Sequence, residues 1–255
     1  MLSRFQQPEL TIEERQQLWS AFLQVVALEE DGIPVSVPDD WVKALLTGLV
    51  DQRSTIREFS LSALNDIAPQ VVGRDDVTRG IVTCLYDDFL SVRNRAVYVA
   101  GAFCGPELLA ALLDSLHELQ VSAPASDDAD KSGLWHALFA LDTVLDRTEV
   151  ASAQLENVAQ LLLTLIHSVS PSEIDIWKIG DSLGDHVKGP AAFRALELMS
   201  QHADDLVRRS AIHGLGHIGG SEAQAIIRKG LSGSSESVRE EARRALSEMS
   251  SQESV

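Results

Sequence analysis

Val207 to Ile218 reads VRRSAIHGLGHI, and the same plan recurs in IREFSLSALNDI (Ile56 to Ile67), VRNRAVYVAGAF (Val92 to Phe103) and VREEARRALSEM (Val238 to Met249). Each copy has an aliphatic residue, then arginine, a small residue at offset four, a small residue or valine at seven, Leu or Ala at eight, and a large apolar residue at eleven. At about 100° per residue these offsets fall within an arc of about 100°, so each copy predicts a helix with one apolar face. Small residues at the fourth and seventh places let a neighbouring helix approach closely. His213 and His217, which could otherwise suggest a metal site on one helix face, fall outside the apolar arc of a repeated structural unit.

Two degenerate copies, LWHALFALDTVL (Leu134 to Leu145) and IWKIGDSLGDHV (Ile176 to Val187), fill the gap between the regular ones. The six starts are separated by 36, 42, 42, 31 and 31 residues, a period of repeat-protein size. Each motif helix is preceded by a second amphipathic segment, for example VPDDWVKALLTGLVD or GRDDVTRGIVTCLYDD, several opening with Pro, Asp or Ser as helix starts do. Six helix pairs are predicted, at about residues 38–70, 71–104, 105–147, 148–187, 188–218 and 219–250 of a single domain spanning 38–255. Residues 1–37 are expected to form a capping helix, about Thr11 to Glu30, and a connector; Thr11 and Glu14 have capping-box spacing. The polar stretch VSAPASDDADKSG, Val121 to Gly133, is expected to be a long loop inside the third repeat.

A chain of 255 residues with 45% hydrophobic composition buries a sizeable core without disulfides. Its two cysteines, Cys84 and Cys104, lie in apolar-periodic segments and are expected to be buried packing thiols in a reducing compartment. The N-terminus has no uninterrupted apolar stretch of signal-peptide type, and no run approaches the roughly 18 apolar residues of a membrane span. A cytoplasmic protein without a membrane partner is expected. The net charge of -17 repels phosphate backbones, so nucleic acid is excluded as a partner. The imbalance concentrates in residues 101–200, with 15 acidic and 5 basic groups, against 8 and 7 in residues 201–255. An acidic middle steers a basic protein partner.

The motif resembles HEAT repeats of the short bacterial kind, with an Asp-rich turn before Val-Arg and a Leu-Gly pair near the helix end, as in DDLVRRSAIHGLGHIGG. The likeness covers about residues 38 to 250 and is weakest in the two middle repeats. It implies an all-α, right-handed α-solenoid whose concave surface is lined by the second helix of each pair. It also implies a structural role for the arginine at the second motif place, Arg57, Arg93, Arg208 and Arg239, bonded to a turn carboxylate or carbonyl. A fold of this kind does not by itself imply an activity.

In the degenerate repeats the arginine place holds Trp135 and Trp177, which either fill space or anchor a partner in an acidic groove. The side of each motif helix opposite the apolar arc nominates Tyr98, His136, Lys178, Asp185, Arg209 and His213, with Asp181 beside them. Together with the two tryptophans these are the expected partner-binding residues. No nucleophile, base and orienter recur there as a triad, so no catalytic residue, metal or cofactor is expected. Three enzyme classes share the architecture that the resemblance implies. Deoxyhypusine hydroxylases ligate metal with His-Glu dipeptides, of which this chain has only His117-Glu118, in a first helix. Alkylpurine DNA glycosylases line a basic groove with aromatics and an aspartate, and Trp135, Trp177 and Asp181 resemble that lining on a chain of the wrong charge. Phycobilin lyases are the third. The function expected is a non-enzymatic scaffold, adaptor or inhibitor, with an immunity-type protein masking a basic partner as one form and an enzyme using the groove around His136, Trp177, Asp181, Asp185 and His213 as the alternative.

Overall fold

The computed structural model describes residues 1–27, 37–103, 105–122, 129–168, 173–233 and 235–252, and every regular element among them is a helix. They fall into two compact units, Met1–Leu112 and Leu113–Val255.

The first unit holds α1 (Leu2–Phe5), α2 (Ile12–Ala27), α3 (Asp39–Gly48), α4 (Ser54–Asp66), α5 (Ala68–Val71), α6 (Asp75–Leu85), α7 (Leu90–Ala100) and the start of α8 (Pro106–Ser122). Helices α3 and α4 form one pair and α6 and α7 the next, with α4 against α7 and α3 against α6. Helix α2 lies on α4. Its start is a reciprocal capping box, in which Thr11 N donates to Glu14 Oε2 (3.0 Å) and Glu14 N to Thr11 Oγ1 (3.2 Å). What seals this contact is aromatic packing that periodicity did not indicate. Phe22 stacks on Trp41 with ring centroids 4.2 Å apart, Phe5 lies 5.0 Å from Trp41 and 5.9 Å from Phe59, and Trp19 donates Nε1–H to Asp66 (2.9 Å). Two short turns of helix, α1 and α5, were not predicted.

The arginine of the motif does what its place implies. Arg57 is buried, donates Nε–H and Nη2–H to the two carboxylate oxygens of Asp87 (2.6 and 2.8 Å) and Nη1–H to the carbonyls of Asp51 and Gln52. It thereby ties its own turn to that of the next repeat. Burial works upward on the Asp87 carboxyl, but the Arg57 guanidinium prevails and holds it below its ordinary range. Arg93 donates to the carbonyls of Asp87 and Asp88, Arg208 to those of His202 and Ala203 and to Asp205, and Arg239 to that of Gly233 and to Glu236. Cys84 is buried and its thiol is pushed up to about 11 by burial, then by Asp87, as an inert packing thiol should be. Cys104 lies outside the described residues.

The second unit holds α9 (Ala129–Arg147), α10 (Ser152–Ser168), α11 (Glu173–Asp181), a π segment (Ser182–Val187), α12 (Gly189–Met199), α13 (Asp205–Ile218), α14 (Gly220–Gly230) and α15 (Glu236–Gln252). The second helices of successive pairs form a row: α9 contacts α11, α11 and the π segment contact α13, and α13 contacts α15. On their other side, α10 contacts α12, α12 contacts α13, and α14 contacts both α13 and α15. Two expectations are corrected here. The loop expected at 121–133 is shorter, because α8 runs to Ser122 and α9 begins at Ala129; residues 123–128 lie outside the described set. A polar stretch suits a loop, but an Asp-containing first turn suits a helix start equally. The fourth motif helix also changes pitch after Asp181, with the Lys188 amide donating to Leu183 O (3.1 Å), five residues back.

The change of pitch sits where α11 and the π segment meet α13 backbone to backbone. A β-carbon at Gly214 would come within 2.5 Å of Gly180 O, and one at Gly184 within 2.7 Å of Gly214 O. Gly180 and Gly214 occupy the small places at offsets four and seven and Gly184 the Leu or Ala place at offset eight, and here they set the distance between neighbouring second helices.

Candidate functional site

Close contact along this row of second helices brings ionisable side chains of α9, α11, the π segment, α13 and α15 into one network. At its centre is His213. Its Nε2 lies 2.8 Å from Asp181 Oδ1 on α11, and its Nδ1 lies 3.2 Å from Glu241 Oε1 on α15. Hydrogen bonds to Asp181 and then Glu241 raise the imidazole to about 9, so it is a cation at neutral pH. Both carboxylates respond in kind: burial works upward on each, but His213 reverses it at Asp181, and His213 with Arg244 reverses it at Glu241. Arg244 Nη2 lies 2.5 Å from the same Glu241 oxygen and 2.7 Å from His213 Nδ1. The two cations share one oxygen of the buried Glu241 carboxylate, whose charge offsets their repulsion.

One turn along, His217 Nδ1 lies 2.5 Å from Asp185 Oδ1, and the His213 and His217 rings meet edge-on at 4.5 Å. Towards α9, His186 Nδ1 lies 2.7 Å from Asp146 Oδ1, and its Nε2 lies 3.6 Å from Asp142 Oδ2. Lys178 Nζ is in ion contact with Asp142 and stands 5.6 Å from the ring centroid of Phe139, which is 52% exposed. Asp142 is only 3% exposed, and burial pushes its carboxyl up against the pull of Lys178, Ser182 and His186. At the other edge the Arg209 guanidinium covers the Trp177 ring at 4.6 Å, while Trp177 meets His213 edge-on at 5.1 Å.

Of the residues nominated by sequence, Trp177, Asp181, Asp185, Arg209 and His213 converge in this network, with Lys178 at its α9 edge. Tyr98 stands on α7 of the first unit, where the Arg95 guanidinium lies 5.9 Å from its ring. The side chains of Trp135 and His136 lie outside the described residues. One placement is corrected: His213 does not present its ring to open solvent, because carboxylates from both neighbouring helices enclose it and leave its side chain 16% exposed. A helical wheel describes one helix, and the enclosing groups belong to two others.

The network also includes Asp142, Asp146 and Glu241, which the wheel did not place on the exposed side, and Arg244, which stands there at offset six of the last motif helix. Asp142 carried a legible signal. It stands at offset eight of LWHALFALDTVL, where the regular repeats have Leu or Ala, so a carboxylate occupies a packing place. Glu241, at offset three on the flank of the apolar arc, carried none. Among the described residues no group of His, Cys, Asp and Glu is arranged to hold a metal ion, and no helix is long and apolar enough to cross a membrane.

Residues 193–255 match the family model of HEAT repeats. Among solved structures, the chain is similar to an engineered protein at 20% identity and a TM-score of 0.50, covering 84% of this chain and 98% of the other. It is similar to a second engineered protein at 19% identity and 0.50, covering 82% and 98%. Human deoxyhypusine hydroxylase is similar at 15% identity over 98% of this chain and 96% of its own, with a TM-score of 0.37, too distant to bear on chemistry. No curated protein matches. The chain is an all-α repeat protein of the solenoid class. Its residues 193–255 are matched by sequence as HEAT repeats.

Proposed function

We propose that this chain is a non-enzymatic scaffold, adaptor or inhibitor that binds a basic protein partner, an immunity-type protein masking a cationic toxin being its most concrete form. The observation that carries this reading is the row of second helices in the second unit. Asp142 and Asp146 come from α9, Asp181 from α11, Asp185 from the π segment and Glu241 from α15, five carboxylates against the cations Lys178, Arg209, His213 and Arg244. Stacked repeats present such a surface at regular spacing, and a surplus of carboxylate draws a cationic partner by long-range attraction that salt screens. The overall charge of -17 acts in the same direction. A cytoplasmic setting accords with the free thiol of Cys84.

The test is a pull-down with the tagged chain at about 50 mM and about 500 mM salt, a span over which the screening length falls severalfold. A basic protein retained at low salt and released at high salt is the expected result. Retention of an acidic partner, or of none, sinks the proposal.

A further inference from the structure

We propose that the strip of surface from α9 across the π segment to α13 docks the guanidinium and ammonium side chains of the basic partner, and that His186 and His217 occupy it in the partner's place. The inference rests on the basic-partner reading and adds where the partner's charges sit. Asp185 and His186 are consecutive residues, yet they reach opposite ways: Asp185 to His217 on α13 at 2.5 Å and His186 to Asp146 on α9 at 2.7 Å. Asp146, His186, Asp185 and His217 consequently alternate carboxylate and imidazole across three adjacent elements. The two carboxylates are the exposed members, with side chains 61% and 44% accessible against 18% for His186 and 29% for His217.

A second, independent observation lies behind the strip. The buried Asp142 holds Lys178 in ion contact at Oδ2, with His186 standing off that oxygen at 3.6 Å, while its Oδ1 accepts no hydrogen bond. This negative charge is under-satisfied, and it faces the space that His186 fills between Asp142 and Asp146. An imidazole offers two diverging ring nitrogens, whereas a guanidinium offers five donors in a planar fork that matches carboxylates in pairs. An arginine entering between Asp142 and Asp146 meets acceptors the histidine leaves unused. The charged groups facing His186 are Asp142 and Asp146 from α9 and, through Asp142, Lys178 from α11; those facing His217 are Asp185 and Asp181, with His213 beside it. His213 is outside the exchange, because Asp181 and Glu241 enclose it and it fastens α11, α13 and α15 together.

A fluorescently labelled octa-arginine peptide serves as probe, with anisotropy read at low salt on the full chain. Wild type binds, and Asp146→Asn/Asp185→Asn weakens binding about tenfold, as loss of paired charge at a contact does. Glu197→Gln/Glu222→Gln removes the same charge from exposed positions on α12 and α14, outside the strip, and changes binding less than about twofold. His186→Ala/His217→Ala, which vacates the strip, tightens binding about fivefold. Thermal melts of all variants confirm the fold. Equal weakening by the two acidic double variants overturns the inference while leaving a basic partner in place, and so does an unchanged affinity in the histidine variant. Absence of binding by wild type removes both.

Discussion

His213 is the residue whose chemistry most depends on its neighbours. Its imidazole is raised from the ordinary 6.5 to about 9 by Asp181 and Glu241, so the linked stabilisation is complete below about pH 6.5 and is lost as pH rises through 9. Denaturant melts of wild type between those values should show a loss of up to about 3 kcal/mol, while His213→Gln should be less stable at pH 6.5 and nearly flat across the range. A wild-type profile as flat as that of the variant would refute the assignment. Arg57 gives a second residue-scale prediction. Its two-pronged bond to Asp87 and its bonds to turn carbonyls are buried, so Arg57→Ala should cost about 2–4 kcal/mol by leaving a buried carboxylate alone. Arg57→Lys should recover little of it, since an ammonium cannot reproduce the fork. The role of Arg57 was legible from its motif place, whereas nothing in the sequence around His213 indicates its charge state, because both carboxylates come from other repeats, 32 residues before it and 28 after it.

At the scale of elements, the approach of α11 and α13 through glycine decides whether the network exists. Gly214→Ala drives a β-carbon to 2.5 Å from Gly180 O and 2.9 Å from Leu196 Cδ2, contacts that only a shift of backbone relieves. It should cost about 1–3 kcal/mol and shift the pH dependence attributed to His213, because the same shift separates His213 from Asp181. Gly230→Ala, whose added carbon meets only side-chain atoms at 3.4 Å and beyond, should stay within about 0.5 kcal/mol of wild type. The capping box at Thr11 and Glu14 is a local arrangement, read directly from spacing and found as read. Thr11→Ala should lower stability by about 1 kcal/mol in chemical denaturation. The π segment was not legible. Its residues keep the apolar pattern of a motif helix, and the departure from α pitch appears only where Gly180 and Gly184 lie against the backbone of the next helix.

For the whole molecule, charge and periodicity act at different levels. A net charge of -17 repels itself in the folded state, so raising NaCl from about 20 to about 300 mM should raise the melting temperature by a few degrees despite weakening the surface ion pairs. A fall would mean that the ion pairs outweigh the self-repulsion. The fold was legible because every motif copy places small and apolar residues on one helical arc, and that arc is a property of a single segment. The repeat plan and the arginine ties follow from it. The site was legible only in outline: Lys178, Asp185, Arg209 and His213 were nominated by exposure, Trp177 by its arginine place and Asp181 beside them, but not their pairing. Sequence by itself determined that this chain is an all-α repeat protein and which helix faces are buried, since burial follows from local periodicity. Only the tertiary structure decided that His213 is an enclosed cation and that Asp142 is a buried, under-satisfied carboxylate. It alone decided, too, that consecutive residues of the π segment face opposite neighbours, because each depends on distances between helices that lie far apart in the chain.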